Sequence, residues 1–340
     1  MALVGFDQIR GQSEAIELLR RLCVSDRLPH ALLFAGPAGV GKATAAGALG
    51  GWFLCTQPKG DRACGKCESC RVFPSGNHPD YHVVTKEMAR IYDKTGKSKA
   101  SQLTADVIRG EVVHKAEHTS VMNRGKFFVV EEAELMNPHA QNVMLKTLEE
   151  PGGRTAIVLL AESSQFLLAT ILSRCQVVRF GRLEEKLIVE ELGKRGIDGA
   201  TAKEAAGLSD GSLGGAMRLI SEGTLAPARQ LCEQVDGMLG GKPPADLAGF
   251  LTRAAAGYAD KQLERDPLSS KETATRTGLS LFLHVASERL RVRLHEAKED
   301  GQRERVCAAI DAARQCQMYL DANVTVAVAL GQLAGEWASA

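Results

Sequence analysis

Apolar and polar residues are distributed along this chain in two regimes. Up to about residue 180, short apolar runs that suit buried strands are separated by amphipathic or small-residue segments that suit helices. Ile16, Leu19, Leu22 and Cys23 recur at helical spacing, which predicts a helix over 13–23 with Ser13 as its N-cap. Leu28-Pro29-His30 breaks that pattern. Apolar runs at Ala31–Ala35, Tyr81–Thr85, Lys126–Val130, Ala156–Ala161 and Gln176–Phe180 then read as strands. Between them lie a small-residue helix from Lys42 to Leu54, a helix over Ala105–Glu117, and a helix from Asn137 to Glu150. Asn137 is the cap of the last, with Pro138 at its first position. Residues 86–104 are polar and Lys-rich and read as an exposed loop. Strands alternating with helices predict a parallel sheet covered on both faces.

After Phe180 the pattern becomes helical. Leu183–Arg195 and Thr201–Leu208 read as short helices, with Gly-rich turns at Gly196 and Asp210–Gly215. From Ala226 onward everything reads as helix, interrupted at Gly240–Pro244 and Arg265–Gly278. The expected division is an α/β domain over 1–180, a small helical domain over 181–225 and an all-α domain over 226–340. A chain of 340 residues is long enough for three such parts.

Charge and composition exclude little. A net charge of +1 and 5% aromatics do not describe a strongly basic nucleic-acid binder. Residues Met1–Asp7 lack a basic stretch followed by an apolar run, and no apolar stretch approaches the roughly 18 residues that span a bilayer. A cytoplasmic location without membrane contact is the expectation.

The most specific chemistry lies after the first strand. Ala31–Ala35 runs into Gly36-Pro-Ala-Gly39-Val-Gly41-Lys42, a phosphate-binding loop of the form GxxxxGK. Such a loop turns successive backbone N–H groups onto phosphate oxygens at a helix N-terminus, and Lys42 neutralises the outer phosphates. The next position normally lends a hydroxyl to magnesium, but here it is Ala43. Thr44 has a hydroxyl, one step along the helix and so about 100° away. The acidic pair that such sites carry at a strand end is Glu131-Glu132, where Glu131 is one methylene longer than the usual Asp. ATP with magnesium is therefore poorly provided for in this chain. The alternative is a loop kept as a helix-start scaffold, with Lys42 paired to a local carboxylate and the acidic pair an ordinary strand end.

Of nine cysteines, Cys55, Cys64, Cys67 and Cys70 fall within sixteen residues, spaced x8, x2, x2. Four thiolates in a short Gly- and Lys-bearing segment suit tetrahedral zinc, and a closed four-Cys site is structural because no coordination position stays open. A redox pair or chance clustering is the alternative. His78 is a weaker candidate ligand.

Phosphate loop, four-Cys module over 55–70, acidic strand end and Thr170-Ile-Leu-Ser-Arg-Cys175 occur in that order. With the strings LPHALLFAGPAGVGK, NPHAQNVMLKTLEEP and TILSRCQVVRF, they make the chain resemble the bacterial sliding-clamp loader, a branch of the AAA+ ATPases. The resemblance is clear over residues 6–220 and weaker beyond. It implies a RecA-like AAA+ P-loop domain, then a helical lid, then a helical collar that oligomerises. It also implies that Arg174, between Ser173 and Cys175, is an arginine finger reaching a neighbour's ATP. Glu162-Ser163-Ser164 falls about where the family has a polar nucleotide sensor. A second sensor arginine is replaced by glycine in Gly211-Ser-Leu-Gly214, with Arg218 one turn further on.

Ala43, Glu131 and Gly214 thus depart from the pattern of the motor subunit, gamma or tau. The implied position is that of delta-prime, which resembles the motor but turns over little or no ATP itself. Its implied partners are delta and gamma or tau, and, through the complex, the sliding clamp and primed DNA. The complex belongs to a DNA polymerase holoenzyme, although no polymerase site is visible in this sequence. Two other readings are an active gamma-like AAA+ ATPase and a zinc-bearing DNA-binding module on an AAA+ scaffold.

Overall fold

The computed structural model describes residues 3–92, 102–242, 246–265, 270–322 and 324–339. The chain packs as two compact units, Met1–Leu187 and Ile188–Ala340.

The first unit is built on five parallel strands: β1 (Ala31–Ala35), β2 (Tyr81–Val84), β3 (Lys126–Val130), β4 (Thr155–Ala161) and β5 (Gln176–Arg179). Their spatial order is β2-β3-β4-β1-β5. In register, Leu33 lies between Leu159 and Val177, and Phe128 between His82 and Ile157. Strands covered on both faces read as near-continuous apolar runs, and successive side chains here serve two separate cores. Leu32, Phe34, Phe127, Val129 and Val158 pack with α1 (Ser13–Val24) and α2 (Lys42–Leu54). Leu33, Phe128, Val130, Ile157 and Leu159 pack with the helical run over 105–117 and with Ala140, Met144 and Leu148. This is the α/β class with a covered parallel sheet that the sequence predicts, followed by an all-helical second unit.

Local differences have physical causes. Ser13 opens α1 and does not cap it. The cap is Gln12, whose amide makes no capping bond. Its Nε2 donates to the Val40 and Gly181 carbonyls, and its Oε1 accepts from Gly181 N–H, joining the phosphate loop to the chain that leaves β5. The segment 86–104 is not all exposed loop. Lys86–Met88 and Ala89–Tyr92 are helical turns, Ala89 is buried, and the Tyr92 hydroxyl donates to Glu111. Residues 93–101 of that segment lie outside the described residues.

His82 on β2 stacks on Phe128 with ring centroids 4.8 Å apart. Burial, and the nearby Lys115 charge, push its pKa from 6.5 down to about 4, against the opposing pull of Asp80 and Glu111. Between those two pH values the unfolded chain binds more protons than the folded one. Stability is therefore full above pH 6.5 and is lost as pH falls toward 4. Allowing for partial exposure, the loss is about 2 kcal/mol. Chemical denaturation at pH 7 and pH 4.5 should show it, and His82→Phe should flatten the dependence over that window.

Glu185–Lys194 spans the division at Leu187, and Gly199–Leu208 and Leu213–Ser221 are short helices of the second unit, with Gly214 at the second position of the last and Arg218 one turn on. Longer helices follow at Leu225–Leu239, Leu247–Arg265, Lys271–Glu296, Asp300–Asp321 and Val326–Ser339. Leu231, Val235, Leu251, Phe282, Leu290, Leu330 and Trp337 form their common core, and the Trp337 indole donates to the Ala309 carbonyl at 3.1 Å. The break expected up to Gly278 closes earlier, at Lys271. Gly278 lies inside that helix, at a position where a Cβ would meet Tyr258 at 2.9 Å, so the glycine answers a close packing contact. Arg289, Arg291 and Arg293 form an ion-pair network. Arg289 Nε and Arg293 Nε both donate to Asp236, at 2.9 and 2.8 Å, and Arg291 pairs with Glu288. Burial opposes ionisation of Asp236, but the two guanidinium groups outweigh it and hold the carboxyl at about 2.

Candidate functional site: phosphate loop, arginine edge and cysteine cluster

The phosphate loop leaves the C-terminal end of β1, inside the sheet between β4 and β5, and open α/β sheets place their ligand crevices at the carboxyl ends of their strands. Gly36, Gly39 and Gly41 all have positive φ. Gly36 also approaches β5 so closely that a Cβ would lie 2.1 Å from the Phe180 carbonyl oxygen, backbone that cannot yield. Gly41 is the cap of α2 and Lys42 its first residue. Only 8% of Lys42 is exposed. Its ammonium donates to the carbonyls of Gly36 and Pro37 at 2.5 and 2.7 Å. Burial lowers its pKa, while Glu162 and Glu134 act in the opposite sense. Ala43 and Thr44 are exposed in the first turn of α2.

The acidic pair lies at the C-terminal end of β3, separated from β1 by β4. Glu131 is half-buried; burial, then the Glu132 and Glu87 charges, raise its pKa. Glu132 takes a left-handed φ of +48° and forms an ion pair with Lys86 at 2.9 Å. The carboxylates that act on Lys42 are others, Glu134 and Glu162. The spacing of EExE held a signal for Glu134: a short turn at Ala133–Leu135 carries it back over the sheet end. Glu162 directly follows β4, and its N–H donates to Glu134 Oε1 at 3.1 Å.

Arg174 follows the short helix Ala169–Leu172 and leads into the edge strand β5. Its Nε donates to Glu149 Oε1 at 2.6 Å and Nη2 reaches the same oxygen. Nη1 donates to the Thr170 carbonyl at 2.8 Å. The guanidinium is thus held at the surface, about one-third exposed. Glu149, at the end of the helix Pro138–Glu149, carries no sequence signal for this pairing, because 25 residues separate the two.

The four sequence-predicted cysteines come together. Their Sγ atoms all lie within 4.8 Å of one another. Cys55 to Cys67 and Cys64 to Cys70 are each 3.9 Å. Tetrahedral zinc with Zn–S of about 2.3 Å requires thiolates about 3.8 Å apart, so the cluster fits such an ion. Cys55 caps the C-terminus of α2, and Cys67 caps the short helix Glu68–Val72 that contains Cys70. Gly65, at φ +70°, turns the chain so that the N–H groups of Lys66 and Cys67 reach Cys64 Sγ at 3.4 and 3.3 Å. Cys64 N–H and Gln57 N–H donate to Cys55 Sγ at 3.2 and 3.4 Å. N–H donors stabilise a thiolate over a thiol. Those on Cys64 lower its pKa. At Cys67 burial opposes ionisation, but donors from Thr56 and the Cys70 backbone prevail and bring it down to about 6. Cys55 and Cys70 are raised by burial.

The cluster is fastened to the far end of the sheet from the phosphate loop. Arg124 Nε donates to the Cys55 carbonyl at 2.9 Å, and Arg154 lies over the Phe53 ring while donating to the Phe53 carbonyl at 2.7 Å. His78 is engaged elsewhere. Its Nδ1 accepts from Asp80 N–H, which leaves Nε2 to donate to Ser69 Oγ at 2.9 Å.

A family model described as DNA polymerase III, delta subunit, matches residues 11–184. The DNA polymerase III subunit delta' of Bacillus subtilis is 34% identical over 199 residues, 58% of this chain and 56% of that protein. Its counterpart in Escherichia coli is 32% identical over 205 residues, 60% of this chain and 58% of that protein. A DNA polymerase III subunit tau/gamma of Haemophilus influenzae is 29% identical over 187 residues, 55% of this chain and 25% of that protein. The matches thus span little more than half the length of the delta-prime relatives. With its five-stranded parallel sheet, its glycine loop and a family match covering half its length, the chain belongs to the DNA polymerase III delta-subunit family.

Proposed function

We propose that this chain is a delta-prime-like subunit of the DNA polymerase III clamp loader in DNA replication. It assembles with delta and gamma or tau in the cytoplasm, and the complex places the sliding clamp on primed DNA. The chain supplies Arg174 in trans to a neighbour's ATP and contributes little or no turnover of its own. The cysteine cluster holds one structural zinc ion that fixes the segment 55–70. Residues 1–180 act as the AAA+ domain, 181–225 as its lid and 226–340 as the collar that joins the subunits.

One observation carries the reading. The helix that opens at the phosphate loop begins Lys42-Ala43, so a methyl group stands where magnesium requires a hydroxyl. Steady-state ATP hydrolysis by the isolated chain tests it. The expected rate is at background and unchanged in Lys42→Ala. The intact Gly36–Lys42 loop favours the second reading, a gamma-like ATPase. Brisk magnesium-dependent turnover that disappears in Lys42→Ala would establish that reading in place of the first.

A further inference from the structure

Three side chains of metal-ligand type meet inside the second unit. His284 and Glu288 stand four residues apart on the helix Lys271–Glu296 and so share one face. Asp210 comes from the turn between the helices Gly199–Leu208 and Leu213–Ser221. One ligand atom from each lies within 4.8 Å of the other two. The turn is held on both sides of Asp210. Ser209 Oγ donates to the Ala206 carbonyl at 2.9 Å, Ser212 N–H donates to the Ser209 carbonyl at 2.9 Å, and Ser212 Oγ accepts from Gly215 N–H at 2.8 Å. Glu288 is only 8% exposed and pairs with Arg291. A carboxylate has about four acceptor sites on its two oxygens, so this pair orients the group without preventing ligation. His284 is exposed, and among the described residues it makes no hydrogen bond or ion pair.

We propose that Asp210, His284 and Glu288 bind a late first-row divalent cation such as zinc, which ties the turn at 209–212 to the helix Lys271–Glu296. The imidazole lies beside two carboxylates yet bonds to neither. A hydrogen-bonded His–carboxylate pair would close to about 3 Å. Ligands around a shared cation stand farther apart, about 3 to 4 Å when each metal bond is about 2.1 Å. The exposed imidazole closes the remaining gap by side-chain rotation. Two carboxylates this near repel each other, and a cation among them turns the repulsion into attraction. One imidazole with two carboxylates suits zinc, cobalt or nickel, whereas calcium and magnesium take all-oxygen sets. The site is separate from the cysteine cluster of the first unit, and it stands or falls independently of the delta-prime reading.

The test is titration of the full chain with cobalt(II), followed by visible absorption, after one equivalent of zinc has been supplied for the cysteines. Cobalt held by thiolates absorbs intensely through charge transfer, whereas cobalt held by nitrogen and oxygen gives only weak visible bands, so the spectrum separates the two sites. The natural chain should develop the weak bands and saturate at about one equivalent. His284→Ala and Asp210→Asn should each weaken that binding at least tenfold, since even an outer partner of a metal ligand is worth about that much. Cobalt should also slow amide exchange over 209–212 in the natural chain and not in His284→Ala. His284 is exposed and makes no hydrogen bond among the described residues, so its removal keeps the fold and decides the matter if Asp210→Asn does not fold. A spectrum of thiolate type only, no cobalt spectrum at all, or equal affinity in the natural chain and His284→Ala overturns the site. Each of these results leaves the delta-prime reading standing, because that reading turns on ATP hydrolysis.

Discussion

Arg174→Ala should leave the assembled loader intact and lower DNA-stimulated ATP hydrolysis at the site this subunit faces by roughly 10³-fold, the scale set by arginine fingers supplied in trans. The guanidinium is always charged and its forked donors match phosphate oxygens, so neither its charge nor its geometry can be replaced by a shorter side chain. Its present partners explain how it is held ready. Glu149 and the Thr170 carbonyl orient it at the surface on the residues that lead into β5. A pair this exposed contributes little stability, about 1 kcal/mol or less, so exchanging Glu149 for a phosphate costs little. Two measurements check the expectation: gel filtration of the reconstituted complex, then its ATPase with primed DNA. An unchanged rate in an intact complex removes the assignment. Glu149→Gln serves as the companion variant, because it frees the guanidinium without deleting it and should preserve most of the rate.

Removing a metal ligand should have the largest structural effect. The purified chain should contain about one equivalent of zinc, and Cys67→Ser should contain none. Structural zinc binding in small sites is worth on the order of 10 kcal/mol, and much of that is folding energy for the segment that holds the ion. Without an ion, the Cys55 and Cys70 thiols stay buried and the short turn at Gly65 has little else to hold it. The loss should nevertheless stay local. The sheet core next to α2 is extensive and buried, and Arg124 and Arg154 bind the main chain at Cys55 and Phe53 independently of the thiols. Cys67→Ser should therefore show fast amide exchange and proteolysis over 55–72 while the sheet remains protected. A full zinc complement in Cys67→Ser, measured by atomic emission, would refute the four-thiolate site.

The folding of the first unit was largely written in periodicity. Runs such as Lys126–Val130 and Ala156–Ala161 are apolar at every position because both faces of a parallel sheet are covered, and that pattern survives in one dimension. The glycine loop was legible for the same reason: a close backbone approach, as at Gly36 against Phe180, tolerates only one residue type. The cysteine cluster was legible because its four thiols fall within sixteen residues, so that local turns such as that at Gly65 bring them together.

The second unit was harder to read. Gly278 looked like a helix break, yet it marks the crossing of two helices, and only the presence of Tyr258 opposite tells these apart. Arg289 and Arg293 converge on Asp236, more than fifty residues earlier, a pairing that no local pattern records.

The amino-acid order thus determined by itself the strands, the phosphate loop, the missing hydroxyl at Ala43 and the thiolate set, because each depends on neighbours in sequence or on the period of one element. Only the tertiary structure decided which charges meet. Lys42 donates to the carbonyls of its own loop and Glu132 pairs with Lys86, while Arg174 rests on Glu149. Such pairings join the ends of separate strands and helices. Electrostatic attraction follows distance in space, which chain position does not encode until the sheet order is fixed.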